Sequence, residues 1–452
     1  MEMRMRLLAR GLLSATIAAA FAGPMAAHAT NGYFLPGYGA AAVGMGGAGV
    51  AFAQDSVSAA TNPAGIADVG MRADLGFAIF NPVRSASVGT AAGQDGGFGF
   101  NGSSDSFNRY YMLPSAGATM PWDDKITLGI AVVGNGGMNT SYRNNFFNGG
   151  YGVAGKTLGV DFMQMLVPIT VAYKVDETNA IGVSLVLGGQ RFAARGLQTF
   201  GLFNISTTAS PFNTEAGLTN QGYDFAQGAG ARVGWRGKFM DDGRLTLGAT
   251  YATKVYMSKF NKYKGLFAGG GSFDVPANYA LGIAFKLIPS VTAAFDVERI
   301  LYADIPAIHN RGPGGPFGLN GIPQFANNPG PPDKTKKLGN PSGMGFGWDS
   351  QTVYKLGVAY KYNDHWVLRT GYNYGKSPIP NDQLTFNTLA PATVEKHYTL
   401  GFTYSPDKST EMTFAYLHAA QNKQSARDQN IVGAVEFKMY QNDYEFNYAW
   451  KF

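Results

Sequence analysis

From about Arg72 to the last residue, the side chains alternate with a period of two, segment after segment. That period belongs to extended chain, whose successive side chains point to opposite faces of a sheet. Ile181, Val183, Leu185 and Leu187 alternate with Gly182, Ser184, Val186 and Gly188. Tyr354, Leu356, Val358 and Tyr360 alternate with Lys355, Gly357 and Ala359, and Tyr398, Leu400, Phe402 and Tyr404 with Thr399, Gly401 and Thr403. The last strand places Tyr444, Phe446, Tyr448, Trp450 and Phe452 on one face. Rows of large apolar groups on one face, with small or polar groups opposite, suit a sheet with lipid outside and a polar interior.

Composition excludes the competing classes. Glycine (61 residues), Phe (31) and Tyr (24) are abundant, while charged residues make up only 15% of the 452. Beyond the N-terminus no apolar run is long enough for a helical membrane span. A β-propeller would repeat every ~40–50 residues, and no such repeat is present. Lipid offers no hydrogen bonds, so a spanning sheet must close on itself. There is no cysteine, hence no disulfide and no thiolate chemistry.

Residues 1–29 read as a secretory signal peptide: Arg4, Arg6 and Arg10, an apolar stretch from Leu12 to Ala22, then Ala27-His28-Ala29. Its removal takes three arginines and Glu2, lowering the net charge from +6 to +4. So small an excess, scattered along the chain, points to no nucleic-acid partner.

Six short polar turns punctuate the strands, at residues 122–125, 176–179, 241–244, 288–290, 363–365 and 406–409. Seven longer segments rich in Gly, Asn and Pro separate them; the longest are Gly196 to Tyr223 and Pro306 to Trp348. This asymmetry predicts an all-β, 14-stranded antiparallel transmembrane barrel over residues 71–452. Its short turns and both chain ends would be periplasmic, in the outer membrane of a Gram-negative cell. Residues 30–70 lack strand character and read as a plug inside it.

The segment Gly44-Met45-Gly46-Gly47-Ala48-Gly49 matches a dinucleotide-binding fingerprint, but no strand precedes it and no parallel unit follows. His309, His365, His397 and His418 show no metal-ligand spacing, so neither metal nor cofactor is expected. Arg232, Arg236, Lys254, Asp296, Glu298, Lys355, Arg369 and Glu395 fall at inward parity. Most of them would pair across the interior and hold the plug. Lys254, Lys355 and Arg369 are the candidates to meet a ligand carboxylate.

The run from Asn31 through Gly37-Tyr38-Gly39-Ala40 to Asn62-Pro63-Ala64 and Ala67 resembles the N-terminal hatch of the FadL/TodX family of outer-membrane transporters. The stretches around Trp348–Pro380 and Leu389–Tyr404 resemble that family's late strands. The resemblance implies a hatch-plugged barrel that passes hydrophobic molecules without energy coupling. Long-chain fatty acids are the leading cargo and aromatic hydrocarbons the alternative. It implies a lateral exit at a kinked third strand, placed here at Gly134, Gly136 and Gly137. It also implies ligand contacts near the mature N-terminus, assigned to Phe34, Leu35 and Tyr38, with Phe146 and Phe147 on the loops. Lipid and lipopolysaccharide surround such a barrel, assembly machinery reads a C-terminal strand ending on Phe452, and the chain is expected to act as a monomer and not as an enzyme. A general porin would lack the plug; an outer-membrane lipid hydrolase would need a Ser-His pair.

Overall fold

In the computed structural model, residues 31–90, 101–147, 157–203, 215–240, 242–312, 337–428 and 433–452 are described. The signal-peptide assignment to residues 1–29 lies outside them.

Fourteen antiparallel strands form one closed sheet. They are β1 (Arg72–Thr90), β2 in two pieces (Asn101–Asp105 and Tyr111–Pro121), β3 (Ile126–Asn139), β4 (Gly159–Lys174) and β5 (Asn179–Arg195). Then come β6 (Asp224–Phe239), β7 (Leu245–Ala252, with Tyr256–Met257 pairing further along β6), β8 (Asn278–Ile288), β9 (Val291–Ile300) and β10 (Gln351–Lys361). The last four are β11 (Trp366–Gly375), β12 (Lys396–Tyr404), β13 (Thr410–Asp428) and β14 (Gly433–Lys451). Each pairs with its sequence neighbours, and β14 returns to β1 in register from Arg72↔Lys451 to Thr90↔Gly433. Closure removes the free edges that a lipid-facing sheet cannot tolerate.

The alternation read from the sequence holds in burial. Ile181, Val183, Leu185 and Leu187 are exposed on the outer wall, as are Leu356, Leu368 and Leu400. Their sequence neighbours Gly182, Ser184, Lys355 and Thr399 are turned inward and buried. All six short turns fall between strands at one end of the barrel. Three are closed by an aspartate that accepts from the backbone two and three residues ahead. Asp123 Oδ1 takes the amides of Lys125 and Ile126 at 2.8 and 2.7 Å. Asp176 takes those of Thr178 and Asn179 at 2.8 and 2.7 Å, and Asp407 those of Ser409 and Thr410, both at 2.8 Å. These are Asx turns, which a short carboxylate nucleates locally. The hydrogen bonds from Thr178 and Asn179 hold the Asp176 carboxyl down at about 2.

Two sequence expectations need correction. The seventh connection is not a long loop: β13 runs to Asp428 and β14 begins at Gly433. The strands continue past their apolar band on polar side chains such as Lys423 and Glu436, paired at 2.7 Å, where the apolar signal of a strand is absent. Lys254 and Glu395 do not face the lumen from a strand. They sit beyond the ends of β7 and β12, where Lys254 reaches the Asp304 carbonyl at 3.2 Å and Glu395 accepts from the Ser377 amide at 3.0 Å.

Residues 31–70 fill the turn-side half of the lumen. They carry one helical turn, α1 (Ala40–Val43), and two 3-10 turns, Ser56–Ala60 and Pro63–Asp68. Most residues of this hatch are buried.

Candidate functional site

The hatch seats against inward-facing glycines. A Cβ at Gly182 would fall 2.3 Å from the Pro63 carbonyl carbon, and one at Gly234 2.0 Å from Asn62 Oδ1. At Gly248 it would meet the Val50 carbonyl at 2.4 Å, at Gly357 Met45 at 2.5 Å, and at Gly371 Gly46 N at 2.2 Å. These positions lie on β5, β6, β7, β10 and β11. A plug whose backbone touches the wall requires walls without side chains.

Polar bonds fix the seat. The Asn62 side chain caps its own 3-10 turn by accepting from Ala64 N at 3.1 Å, and donates to the carbonyls of Val50 at 2.8 Å and Trp235 at 3.0 Å. Pro63 follows at the first turn position, where a missing N–H costs nothing. The Asn62-Pro63-Ala64 motif is therefore a clamp between hatch and wall. Asp296 accepts from the amides of Gly49 and Val50 at 2.7 and 3.0 Å. Arg232 donates to the Thr61 carbonyl at 2.8 Å, Arg236 pairs with Asp68 at 2.8 Å, and Arg369 reaches Gln54 at 2.8 Å and Thr403 at 2.7 Å. Lys355 pairs with Glu298 at 2.7 Å. Of the three candidate carboxylate contacts, Lys355 and Arg369 are thus engaged inside the lumen and Lys254 lies outside the strands. Asp55, also in the hatch, is pushed up to about 6 by burial and then by Asp74, against the pull of Arg72.

The wall is interrupted at one place. β2 and β3 pair only from Pro121↔Thr127 to Ala116↔Val132. Beyond that, Tyr111–Ser115 stay on β1 while β3 leaves its neighbour. β3 still follows β4, with a register shift between Gly134 and Gly136. Its freed backbone turns to the hatch: Leu35 N donates to Asn135 O at 3.1 Å, and Gly137 N to Tyr33 O at 3.2 Å. Gly136 has φ 155°, and a Cβ there would lie 1.6 Å from the Tyr33 carbonyl oxygen. Only glycine fits. At the loop end the break is closed by Tyr111 Oη, which donates to Asn139 Oδ1 at 2.6 Å, and by Arg84, which donates to the Asn139 carbonyl. Between these limits lies a cavity whose lining includes Leu35, Tyr38, Leu113, Ser115, Gly134 and Glu445. Leu113 closes over Gly134, within 2.9 Å of where a Cβ would stand. Tyr38 donates to Asn135 Oδ1, and Asn135 in turn to Gln164 at 2.6 Å, so hatch, β3 and β4 share one chain of bonds.

Around the first residues of the hatch the interior becomes aromatic. Tyr33 packs against Phe34, Tyr302 and Phe162 with ring centres 5.2, 5.4 and 5.9 Å apart, and Phe162 against Phe273 at 4.8 Å. Tyr302 Oη receives the Tyr33 amide at 3.2 Å and donates to the Asn31 carbonyl, pinning the segment. Nearer the loop end, Phe192, Leu266, Phe267, Phe346, Phe386 and Leu389 line an apolar cleft.

The structure thus brings Phe34 into the aromatic cage, and Leu35 and Tyr38 to the cavity beside Gly134. Phe146 and Phe147 are placed apart from both. They stack with Tyr142, Phe200 and, through Phe200, Phe386 among the loops, and are 1% and 0% exposed. Tyr302 and Trp348, whose rings pack 5.2 Å apart beside Tyr33, and Asn135, Leu113 and Glu445 were missed by sequence reasoning. Tyr302 and Trp348 flank the long irregular stretch, where no periodicity assigns a face. Glu445 could have been found, because it alternates with the outward Tyr444 and Phe446.

A family model described as outer membrane protein transport protein (OMPP1/FadL/TodX) matches residues 19–451. The chain belongs to this family. As an OMPP1/FadL/TodX protein it is an outer-membrane β-barrel transporter of hydrophobic compounds. Its fold is similar to the toluene transporter TodX of P. putida, with 18% identity over 92% of this chain and 99% of that one and a TM-score of 0.63. It is equally similar to a Pseudomonas aeruginosa FadL homologue (15% identity, 93% and 100% covered, TM-score 0.66). The Ralstonia pickettii toluene transporter TbuX gives 16% identity, 92% and 99% coverage and a TM-score of 0.62. At these identities the likeness is one of fold. No curated protein matches the chain.

Proposed function

We propose that this OMPP1/FadL/TodX protein mediates passive uptake of neutral hydrophobic molecules, of the size of a monoaromatic hydrocarbon, which leave the barrel sideways into the bilayer. Cargo is caught in the loop-side cleft around Phe267 and Phe386. It passes to the cage of Tyr33, Phe34 and Tyr302, and leaves between β2 and β3 past Leu113 and Gly134. Hatch and wall block a straight aqueous path, so an apolar molecule gains by going sideways, at about 0.8 kcal/mol for each methylene transferred to an apolar medium.

The observation that carries the cargo class is the state of the lumen cations. Lys355 is neutralised by Glu298, and Arg369 is bound to Gln54 and Thr403. A carboxylate cargo needs a charge-assisted partner; an aromatic one needs only an apolar pocket with ring partners. Aromatic hydrocarbons therefore fit better than long-chain fatty acids. What still favours a fatty acid is Arg84, at the loop end of the break, whose buried Nε has no partner among the described residues.

Uptake in a strain lacking the gene and complemented with it tests both readings. Restored entry of labelled toluene with little gain in oleate is the expected result. Restored oleate entry without toluene would reverse the assignment, and neither would remove it. High single-channel conductance in planar bilayers would instead favour a general porin.

A further inference from the structure

One wall of the aromatic cage is polar, and part of its bonding capacity is unspent. Gln164 on β4 and Gln190 on β5 are register partners, both turned inward. They are 2% and 4% exposed, and Tyr33 of the hatch is 0% exposed. Each glutamine uses half of its amide. Gln164 Oε1 accepts from Asn135 Nδ2 at 2.6 Å, and Gln190 Nε2 donates to the Phe273 carbonyl at 2.9 Å. Those bonds fix which way the two amides point. They leave Gln164 Nε2, a donor, and Gln190 Oε1, an acceptor, without a partner among the described residues. The Tyr33 hydroxyl faces the Gln164 amide, yet it too has no hydrogen-bond partner among them. Rings surround these atoms: the Tyr33 ring centre lies 5.9 Å from that of Phe162 and 6.1 Å from that of Phe273, the residue whose carbonyl holds Gln190.

Buried polar atoms in apolar surroundings cost stability until something completes them. A hydrocarbon completes none of the three. A carboxylate brings acceptors only, and Gln190 Oε1 would meet it with another acceptor. A hydroxyl does both jobs with one atom: it accepts from Gln164 Nε2 and donates to Gln190 Oε1 or Tyr33 Oη.

We propose that Gln164, Gln190 and the Tyr33 hydroxyl form a subsite for the hydroxyl of an aromatic cargo, so that phenols are taken up in preference to hydrocarbons of the same shape. The cargo ring packs edge to face with the rings of the cage. Its oxygen stands where a buried water would otherwise complete the three atoms. A phenol gives up its bonds to water on entering an apolar lumen, and the subsite returns them at the point where the loss is greatest. The inference rests on passage through the cage and deepens it by naming a group that the cargo carries.

The test is uptake of p-cresol against toluene, two cargoes that differ by one hydroxyl, by cells carrying the wild type, Tyr33→Phe or Gln190→Met. Entry into the strain lacking the gene is subtracted, and unboiled gels report that each barrel is folded. Tyr33→Phe removes a hydroxyl that bonds to nothing among the described residues; Gln190→Met keeps the length of the side chain and removes the acceptor. Each is expected to lower the p-cresol-to-toluene ratio by about fivefold, the size of one neutral hydrogen bond. If the wild type takes up toluene and the ratio is the same in all three proteins, the three atoms hold an ordered water only; the subsite is then wrong and the uptake reading stands. If the wild type takes up neither cargo, the uptake reading fails and the subsite with it.

Discussion

The two halves of the lumen obey one rule and use it oppositely. In both, every second residue of each strand points inward. On the turn side the inward positions carry glycine, with Asp296, Arg232, Arg236 and Arg369 bonded to the hatch. On the loop side they carry Phe162, Phe192 and Val160, with further rings supplied by the loops. The first half is emptied of side chains so that backbone can meet backbone. The second is filled with rings that pack at centre distances near 5 Å, as between Phe192 and Phe267 at 4.7 Å. A plug needs contacts that do not yield; a passage for greasy molecules needs surfaces with no preferred polar partner.

The comparison breaks most sharply at the glycines. Gly182→Leu should unseat the hatch, since its first carbon already collides with Pro63. Overpacking of about 3 kcal/mol, at about 1.4 kcal/mol per decade, raises the unseated fraction roughly 100-fold. Planar-bilayer conductance reads this directly. Gly89→Ala, where a Cβ meets nothing within 4 Å, is the silent control.

A smaller loss is expected where the halves meet. Gly136→Val forces β3 off Tyr33, at a cost of about 1–3 kcal/mol for the strained backbone alone. Toluene uptake should fall about tenfold while the gel shift of the folded barrel is kept. An unaltered rate would mean that the inward course of β3 does not matter to transport.

In the aromatic half the expected effect is milder. Tyr302→Phe keeps the ring and loses the bonds to Tyr33 N and Asn31 O. At about 0.5 kcal/mol net for each of the two bonds, uptake should drop by roughly fivefold. Phe273→Ala should act through KM, because it removes ring surface from the cage.

The smallest effect is one of pH. Asp55 is raised from 3.8 to about 6 by burial beside Asp74. A carboxyl raised in the folded state favours folding fully below its unfolded value of ~3.9. That contribution is lost as pH rises through 6, so the seat of the hatch weakens between about pH 4 and 6. Leak conductance should therefore be lower at pH 5 than at pH 7.5, and Asp55→Asn should flatten the difference. A leak that rises on acidification in the wild type would contradict the assignment.

What could be read from the sequence was local. Asp123, Asp176 and Asp407 make their turns with residues two and three ahead, so the turns and the strand count are legible in the sequence. Alternation gave the inward face of Arg369 and Lys355 for the same reason. Asn62-Pro63-Ala64 could be recognised, yet its partners could not: Trp235 is 173 positions away from Asn62. The glycines at 182, 234 and 371 are unremarkable singly and gain meaning only when the barrel brings them round one plug. Phe146 and Phe147 were placed with the cargo because aromatic loop residues suit it. Nothing local distinguishes a ring that lines a cleft from one packed by Phe200. Lys254 failed by two residues, the distance between a strand end and a loop.

The break between β2 and β3 has a bearing on how the molecule is built. Between Val132 and Asn139 the backbone of β3 leaves β2 and bonds instead to Tyr33 and Leu35 of the hatch. The wall therefore borrows a strand from its own plug. An empty cylinder would leave this stretch of β3 without backbone partners on the side away from β4. The hatch is thus a piece of the wall as well as a plug, and pulling it out would cost the seam its bonds as well as opening the lumen.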